Sequence, residues 1–253
     1  MNPFAHRAAA RRYALGRPYY QPVVIERIRA YLGLEQPFHR ALDVACGTGQ
    51  SCVALKSIAR NVVGTDVSAA MLAEAPANLA VEYIEAPAEL LPFPDEDFEL
   101  VTVSSAFHWF DREKFLREAN RLLPVGGWLV IYENHFQGSK MASAPEFNEW
   151  FRARYLIQFP SPPRCAAPLE QEEAEAAGFR FAHSESYSNE ITFTKEGLTN
   201  YLVTQSNIIA AVEEGGCAVD AVREWILSSL EPFFAEGEGV FAFGGAIWYL
   251  QKS

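Results

Sequence analysis

The chain has 253 residues, 49% of them apolar, and a formal net charge of −11. That length and apolar share suit one α/β fold with an elaboration, while the acidic balance, with no Lys or Arg run, argues against a nucleic-acid partner held through its phosphates. No apolar stretch approaches the roughly 20 residues of a spanning helix, the first residues lack an apolar signal core, and Cys46, Cys52, Cys165 and Cys217 show no C-x-x-C spacing; the expectation is a cytoplasmic protein with free thiols, no metal, no membrane and a small-molecule partner.

In chain order, residues 4–20 are rich in Arg and Tyr, which by composition alone suits a basic, solvated leader. A helix is predicted over 22–32, with Val24, Ile25, Ile28 and Leu32 on one face. Residues 41–45 are apolar apart from Asp43 and read as a first strand buried on both faces. The chain then breaks at Gly47-Thr48-Gly49, before a helix predicted over 51–59. Two glycines there allow a sharp turn with no Cβ beneath a nucleotide-like ligand; the alternative is an ordinary βα turn. A second strand over 62–68 carries Asp66, about 20 residues past the glycines, where an acid can accept hydrogen bonds from both hydroxyls of a ribose. Asp66 could instead cap the next helix, a task open equally to Ser68. A third glycine in register is lacking, so a pyrophosphate loop, and with it an NAD-dependent oxidoreductase, is the weaker reading.

A third strand is predicted over 81–85, a fourth with its lead-in over 97–105, and a fifth over 128–132. Between the last two, a helix over 112–123 buries Phe115, Leu116, Ala119, Leu122 and Leu123, and Pro124 with Gly126-Gly127 ends it. In a doubly wound sheet the ligand lies over the C-terminal strand ends, so the side chains from Ser104 to Asp111 should face the same crevice as Gly47 and Asp66. His108 is either the titrating group of that crevice or a packed histidine among aromatics. From His135 the pattern is irregular: helices over 144–158, 170–177, 195–212 and 219–234, and strands over 179–193 and 240–250. Phe136, Trp150, Phe151, Tyr155, Phe159 and Tyr201 make the helical part apolar and aromatic.

Asp43, Ala45, Cys46, Gly47, Thr48 and Gly49 match D-x-G/A-C-G-T-G, and here the chain resembles the class I S-adenosylmethionine-dependent methyltransferases. Phe4, Tyr13, Arg17, Pro18 and Tyr20 resemble the opening of the trans-aconitate methyltransferase-like (type 11) branch, as does His108-Trp109-Phe110-Asp111 after the fourth strand. Ala88, Leu91, Pro92 and Phe93 fit G-D-A-x-x-L-P-F, but Pro87 replaces its acid, so Glu89 or a backbone carbonyl would have to bind the adenine amino group. The lysine of the family's L-K-P-G-G is missing before Pro124.

The resemblance implies a doubly wound, Rossmann-like seven-stranded α/β sheet with an antiparallel C-terminal hairpin and a helical cap. It implies a core with an N-terminal lid over 1–137, and a part over 138–253 that completes the sheet and carries the cap. S-adenosylmethionine is the implied cofactor, held by Tyr13, Arg17, Asp43, Ala45, Gly47, Gly49, Asp66, Val67, Met71, Ala88, Glu89, Ser104 and Ser105. Tyr20, Trp109 and Tyr201 would meet the acceptor. A carboxylate acceptor needs no base; a hydroxyl, amine or carbon acid needs one, and His108 is the candidate. Arg152 and Arg154 lie two apart on a predicted helix and do not share a face, which argues against a tricarboxylate and leaves a small, partly apolar acceptor. A cofactor-binding protein without turnover is the alternative.

Overall fold

The computed structural model describes residues 3–77, 80–141, 144–165, 167–235 and 237–253. Its strands are β1 (Phe38–Val44), β2 (Ala59–Asp66), β3 (Val81–Glu85), β4 (Leu100–Ser104), β5 (Trp128–Tyr132), β6 (His135–Ser139), β7 (Phe179–Thr194) and β8 (Glu238–Lys252). Its α-helices are α1 (Arg7–Gly16), α2 (Gln21–Leu32), α3 (Gln50–Leu55), α4 (Ala69–Leu72), α5 (Arg112–Leu122), α6 (Ala144–Trp150), α7 (Leu156–Gln158), α8 (Gln171–Ala176), α9 (Lys195–Leu202), α10 (Ser206–Glu213) and α11 (Val219–Leu230). The chain folds as two units, one of residues 19–134, 164–187 and 245–253, the other of residues 1–18, 135–163 and 188–244.

The first, the sheet unit, follows from strand periodicity. Successive side chains point to opposite faces, and here both faces are apolar: Leu42, Val44, Val101, Val103, Leu129 and Ile131 join one buried cluster, whereas Ala41, Leu100, Val130 and Tyr132 join another. Helix α5 covers the former with Phe115, Leu116, Ala119 and Leu122, its start capped by the Asp111 carboxylate on the Lys114 amide at 3.3 Å. Helix α2 covers the latter with Val24, Ile25 and Ile28 and ends at Gly33 in the left-handed region. A strand so covered must lie in a parallel sheet with helical crossovers. The order is β3-β2-β1-β4-β5, all parallel, with β8 antiparallel to β5 and β7 paired to β8. Chain direction across the sheet reverses between β1 and β4, which places the ligand-binding crevice of such a fold at their C-terminal tips, Val44 and Ser104.

In the second, the aromatic unit, β6 pairs antiparallel with residues 241–244 of β8, with a bulge between Phe136 and Gly138. Phe147, Tyr155, Phe241 and Phe243 are fully buried there, and the Phe136 ring lies 5.0 Å from Phe151 and 5.3 Å from Phe243.

Several boundaries differ from the sequence expectations. The helix expected over 51–59 stops at Leu55, because Ala59 already pairs with Phe38 in the β1–β2 ladder. Strand β6 lies outside those expectations; it brings the strands among the described residues to eight, and its Gly138 and bulge hide the alternation that marks a strand. The single helix expected over 195–212 is two, since the Thr204 hydroxyl donates to the Tyr201 carbonyl at 2.6 Å and competes with helix continuation. Helix 144–158 is interrupted by a π turn at Phe151–Tyr155. No described helix is long and apolar enough to cross a membrane, and all four thiols are free.

Candidate functional site

The sheet unit builds its site at the tips of β1, β2, β4 and β5. After Val44, Ala45 takes φ 55°, a left-handed conformation that costs a residue with a Cβ roughly 1–2 kcal/mol. Gly47 and Gly49 follow at φ 55° and 76°, and the Gly49 amide closes the turn on the Cys46 carbonyl at 2.9 Å. A Cβ on Gly49 would collide with the Tyr83 hydroxyl, so the turn is open to glycine for both conformation and space.

Asp66, at the tip of β2, grips this turn. Its Oδ2 accepts from the Gly47 amide at 2.9 Å and its Oδ1 from the Ser68 amide at 2.8 Å. Burial raises its carboxyl above the ordinary aspartate value, and the two amide donors oppose that rise. Each oxygen can accept a second donor, so ribose hydroxyls can bind beside these amides. Ser68 serves as the cap of α4, its Oγ accepting from the Met71 amide at 3.2 Å.

Asp43 lies beneath the turn and is fully buried. Its carboxylate accepts from the Ser51 hydroxyl, from Thr102 Oγ1 at 2.7 Å and from Cys52 Sγ at 3.6 Å, and burial pushes its pKa up to about 6. Those oxygens face inward: Asp43 braces β1 against α3 and β4 and presents no atom to a ligand. Around the turn, Val67 is exposed, Met71 and Ala88 are buried, and Glu89 Oε1 accepts from the Asp111 amide at 2.9 Å.

At the tip of β4, the Tyr20 hydroxyl lies 3.0 Å from Ser104 Oγ and 3.1 Å from Ser105 Oγ. Ser105, like Ala45, is left-handed without being glycine, at φ 52°; such strain concentrates at functional sites. Its Oγ accepts from the Asn134 amide at 3.1 Å. His108 sits in a 3-10 turn, Phe107–Trp109, with Nδ1 3.3 Å from Glu133 Oε1 and its ring centroid 5.0 Å from that of the partly exposed Trp109. Glu133 and Asn134 follow β5 directly, and the Tyr187 hydroxyl lies 3.0 Å from both the Glu133 carbonyl and Asn134 Oδ1. Sequence reasoning missed these three. The strand-end rule that singled out His108 after β4 would also have marked Glu133 and Asn134 after β5, whereas nothing local signals Tyr187.

The structure thus brings Tyr20, Asp43, Ala45, Gly47, Gly49, Asp66, Val67, Met71, Ala88, Glu89, Ser104, Ser105, His108 and Trp109 into one unit. Tyr13, Arg17 and Tyr201 belong to the aromatic unit and lie together there. The Arg17 guanidinium stands 4.6 Å from the Tyr13 ring centroid and 5.3 Å from that of buried Tyr201, and donates to the Thr204 carbonyl at 3.1 Å.

Comparison with known proteins bears on the same region. Residues 42–131 match a family described as a methyltransferase domain. A demethylmenaquinone methyltransferase of Thermus thermophilus is 44% identical over 110 residues, which are 40% of this chain and 50% of that protein. The ubiquinone/menaquinone biosynthesis C-methyltransferase UbiE of Xanthomonas oryzae is 38% identical over 109 residues, 39% of this chain and 43% of that one. The chain therefore spans half or less of the length of these curated relatives. Among solved structures, a protein of Anaeromyxobacter dehalogenans assigned as a type II methyltransferase shares the fold, with a TM-score of 0.64 at 19% identity over 98% of this chain and 97% of that one.

Proposed function

We propose that this chain is a class I S-adenosylmethionine-dependent methyltransferase that transfers the methyl group of its cofactor to a small-molecule acceptor, a carboxylate or a hydroxyl compound; the methyltransferase-domain match and the curated relatives support this reading. The observation that carries the reading is the left-handed turn through Gly47 and Gly49, tied by the Gly47 amide to the Asp66 carboxylate at 2.9 Å. A turn without side chains admits a ligand against the backbone, and a carboxylate at the neighbouring strand tip suits a ribose. Bound there, the cofactor supplies a sulfonium methyl that is already electrophilic.

The protein's work is then positional. Gly47 and Gly49 let the backbone approach the cofactor, Asp66 takes its ribose, and Val67, Met71, Ala88 and Glu89 flank its base. Ser104 and Ser105 with Tyr20 form a hydroxyl cluster at the tip of β4, and Trp109 offers an apolar wall to the acceptor. Holding two reactants in near-attack geometry supplies up to about 7–11 kcal/mol of a transfer barrier.

The curated relatives are named for quinone-pathway methylation, which supports a ring-bearing acceptor over a polyacid. Calorimetric titration with S-adenosylmethionine and with NAD tests the cofactor. Transfer of a labelled methyl to a panel of carboxylates and phenols tests the acceptor, and label in polyacids alone would refute the partly apolar acceptor. Tight binding of S-adenosylmethionine with no turnover on any acceptor would indicate a binding protein without catalysis.

A further inference from the structure

We propose that Glu133 fixes His108 as the proton acceptor of the transfer, and that the methyl acceptor is accordingly a neutral hydroxyaromatic compound and not a carboxylate. This rests on the methyltransferase reading above. The two side chains come from the C-terminal tips of adjacent parallel strands, β4 and β5, whose ladder ends at Ser104 opposite Tyr132. Their side chains are only 14% and 10% exposed, with His108 Nδ1 3.3 Å from Glu133 Oε1. An ionised carboxylate can only accept, so Nδ1 carries the hydrogen and the free lone pair of the neutral ring sits on Nε2. Among the described residues, Nε2 has no hydrogen-bond partner. The carboxylate also offsets the positive charge that the ring gains with a proton.

Glu133 is itself held in place. Its amide donates to the Ala246 carbonyl at 3.1 Å, and its carbonyl lies 3.0 Å from the Tyr187 hydroxyl. It is a positioning residue; His108 is the catalytic one. An oriented base is of no use to an acceptor that is already ionised, and the nearby Glu133 charge would repel such an anion. A phenol or naphthol hydroxyl fits both conditions, being neutral at neutral pH yet acidic enough to surrender its proton to an imidazole as the new bond forms.

In the step, His108 Nε2 takes the hydroxyl proton while the acceptor oxygen forms a bond to the methyl carbon. The electron pair of the breaking carbon–sulfur bond stays on sulfur, which becomes an uncharged thioether, and the imidazolium later returns its proton to solvent. Where the nucleophile is the ring carbon conjugated with the hydroxyl, that carbon loses its hydrogen as a proton and the oxygen regains one, so the balance is again one proton released.

The test uses the full chain with S-adenosylmethionine, 1,4-naphthalenediol, benzoate and a series of substituted phenols of falling pKa. Expected results are methylation of the diol and not of benzoate, and a loss in kcat of roughly 10²–10⁴-fold in His108→Gln. A loss of similar order is expected in Glu133→Gln, which presents an amide to Nδ1. Both variants should keep the wild-type cofactor Kd, and their deficit should shrink along the series of neutral phenols as the hydroxyl becomes easier to deprotonate. A purely structural role would give the same deficit across the series. With cofactor binding intact, a flat series, methylation of benzoate at the diol's rate, or no turnover of any hydroxyaromatic overturns this inference alone. Failure of the wild type to bind S-adenosylmethionine overturns the proposed function together with it.

Discussion

The Gly47 amide donates to Asp66 Oδ2 at 2.9 Å, so the turn after β1 is pinned to the tip of β2 by the carboxylate that we propose takes the cofactor ribose. Asp66→Ala would orphan this amide and that of Ser68. The expected result is a loss of about 1–3 kcal/mol in stability by denaturant unfolding, with cofactor affinity falling at least roughly tenfold, which is the equivalent of about 1.4 kcal/mol. An unfolding midpoint equal to that of the wild type would show that the pin carries no weight.

Gly49 has φ 76°, and the space a Cβ would need is filled by the Tyr83 hydroxyl, a buried group with no hydrogen-bond partner among the described residues. Gly49→Ala should cost about 1–2 kcal/mol from the backbone alone, with the collision added. Tyr83→Phe by itself should be neutral or stabilising, since an unsatisfied hydroxyl costs free energy to bury. In the double variant, removal of the Tyr83 hydroxyl should recover the collision part and leave the backbone part. Additive losses in a double-mutant cycle would contradict the contact.

Asp43 titrates near 6 in the folded chain because burial disfavours its charge, against an ordinary value of 3.8. Its folded pKa is raised, so its contribution to stability is complete below about pH 4 and is lost as the pH climbs through 6. A rise of that size corresponds to about 3 kcal/mol. The stability of the wild type minus that of Asp43→Asn, followed by urea unfolding at pH 4, 5, 6 and 7, should therefore fall across that window. A flat difference would mean that the carboxylate is as comfortable folded as unfolded.

Arg17 lies against Tyr13 and Tyr201 and donates to the Thr204 carbonyl. Arg17→Met keeps the stem but removes the cation and the donor; the expected cost is about 1–3 kcal/mol in stability. Arg17→Lys keeps charge and loses the planar fork, so it should fall between the two. Thermal unfolding of the three proteins in one buffer checks the order.

Features that rest on near neighbours along the chain can be read from the residues alone. Leu42 and Val44 alternate with Ala41 and Asp43, Gly47 and Gly49 are one residue apart, and Ser68 precedes its own helix, so the first strands, the turn and the cap were legible without coordinates. Helix α5 was legible to within a residue, because its apolar stripe is local. The helix break at Thr204 and the edge strand β6 were not, since a side-chain hydrogen bond decides one and the partner β8, about 100 residues on, decides the other.

The same division runs through the site. Asp43 reads in sequence as part of a cofactor motif, and only the surroundings supplied by Ser51 and Thr102 turn its oxygens inward. His108 and Glu133 are 25 residues apart, and their pairing exists because β4 and β5 lie side by side. Tyr187 reaches Glu133 from β7, 54 residues away. Local spacing fixes backbone conformation, but a proton-accepting pair depends on which strand tips become neighbours, and that adjacency is set by burial across the whole sheet.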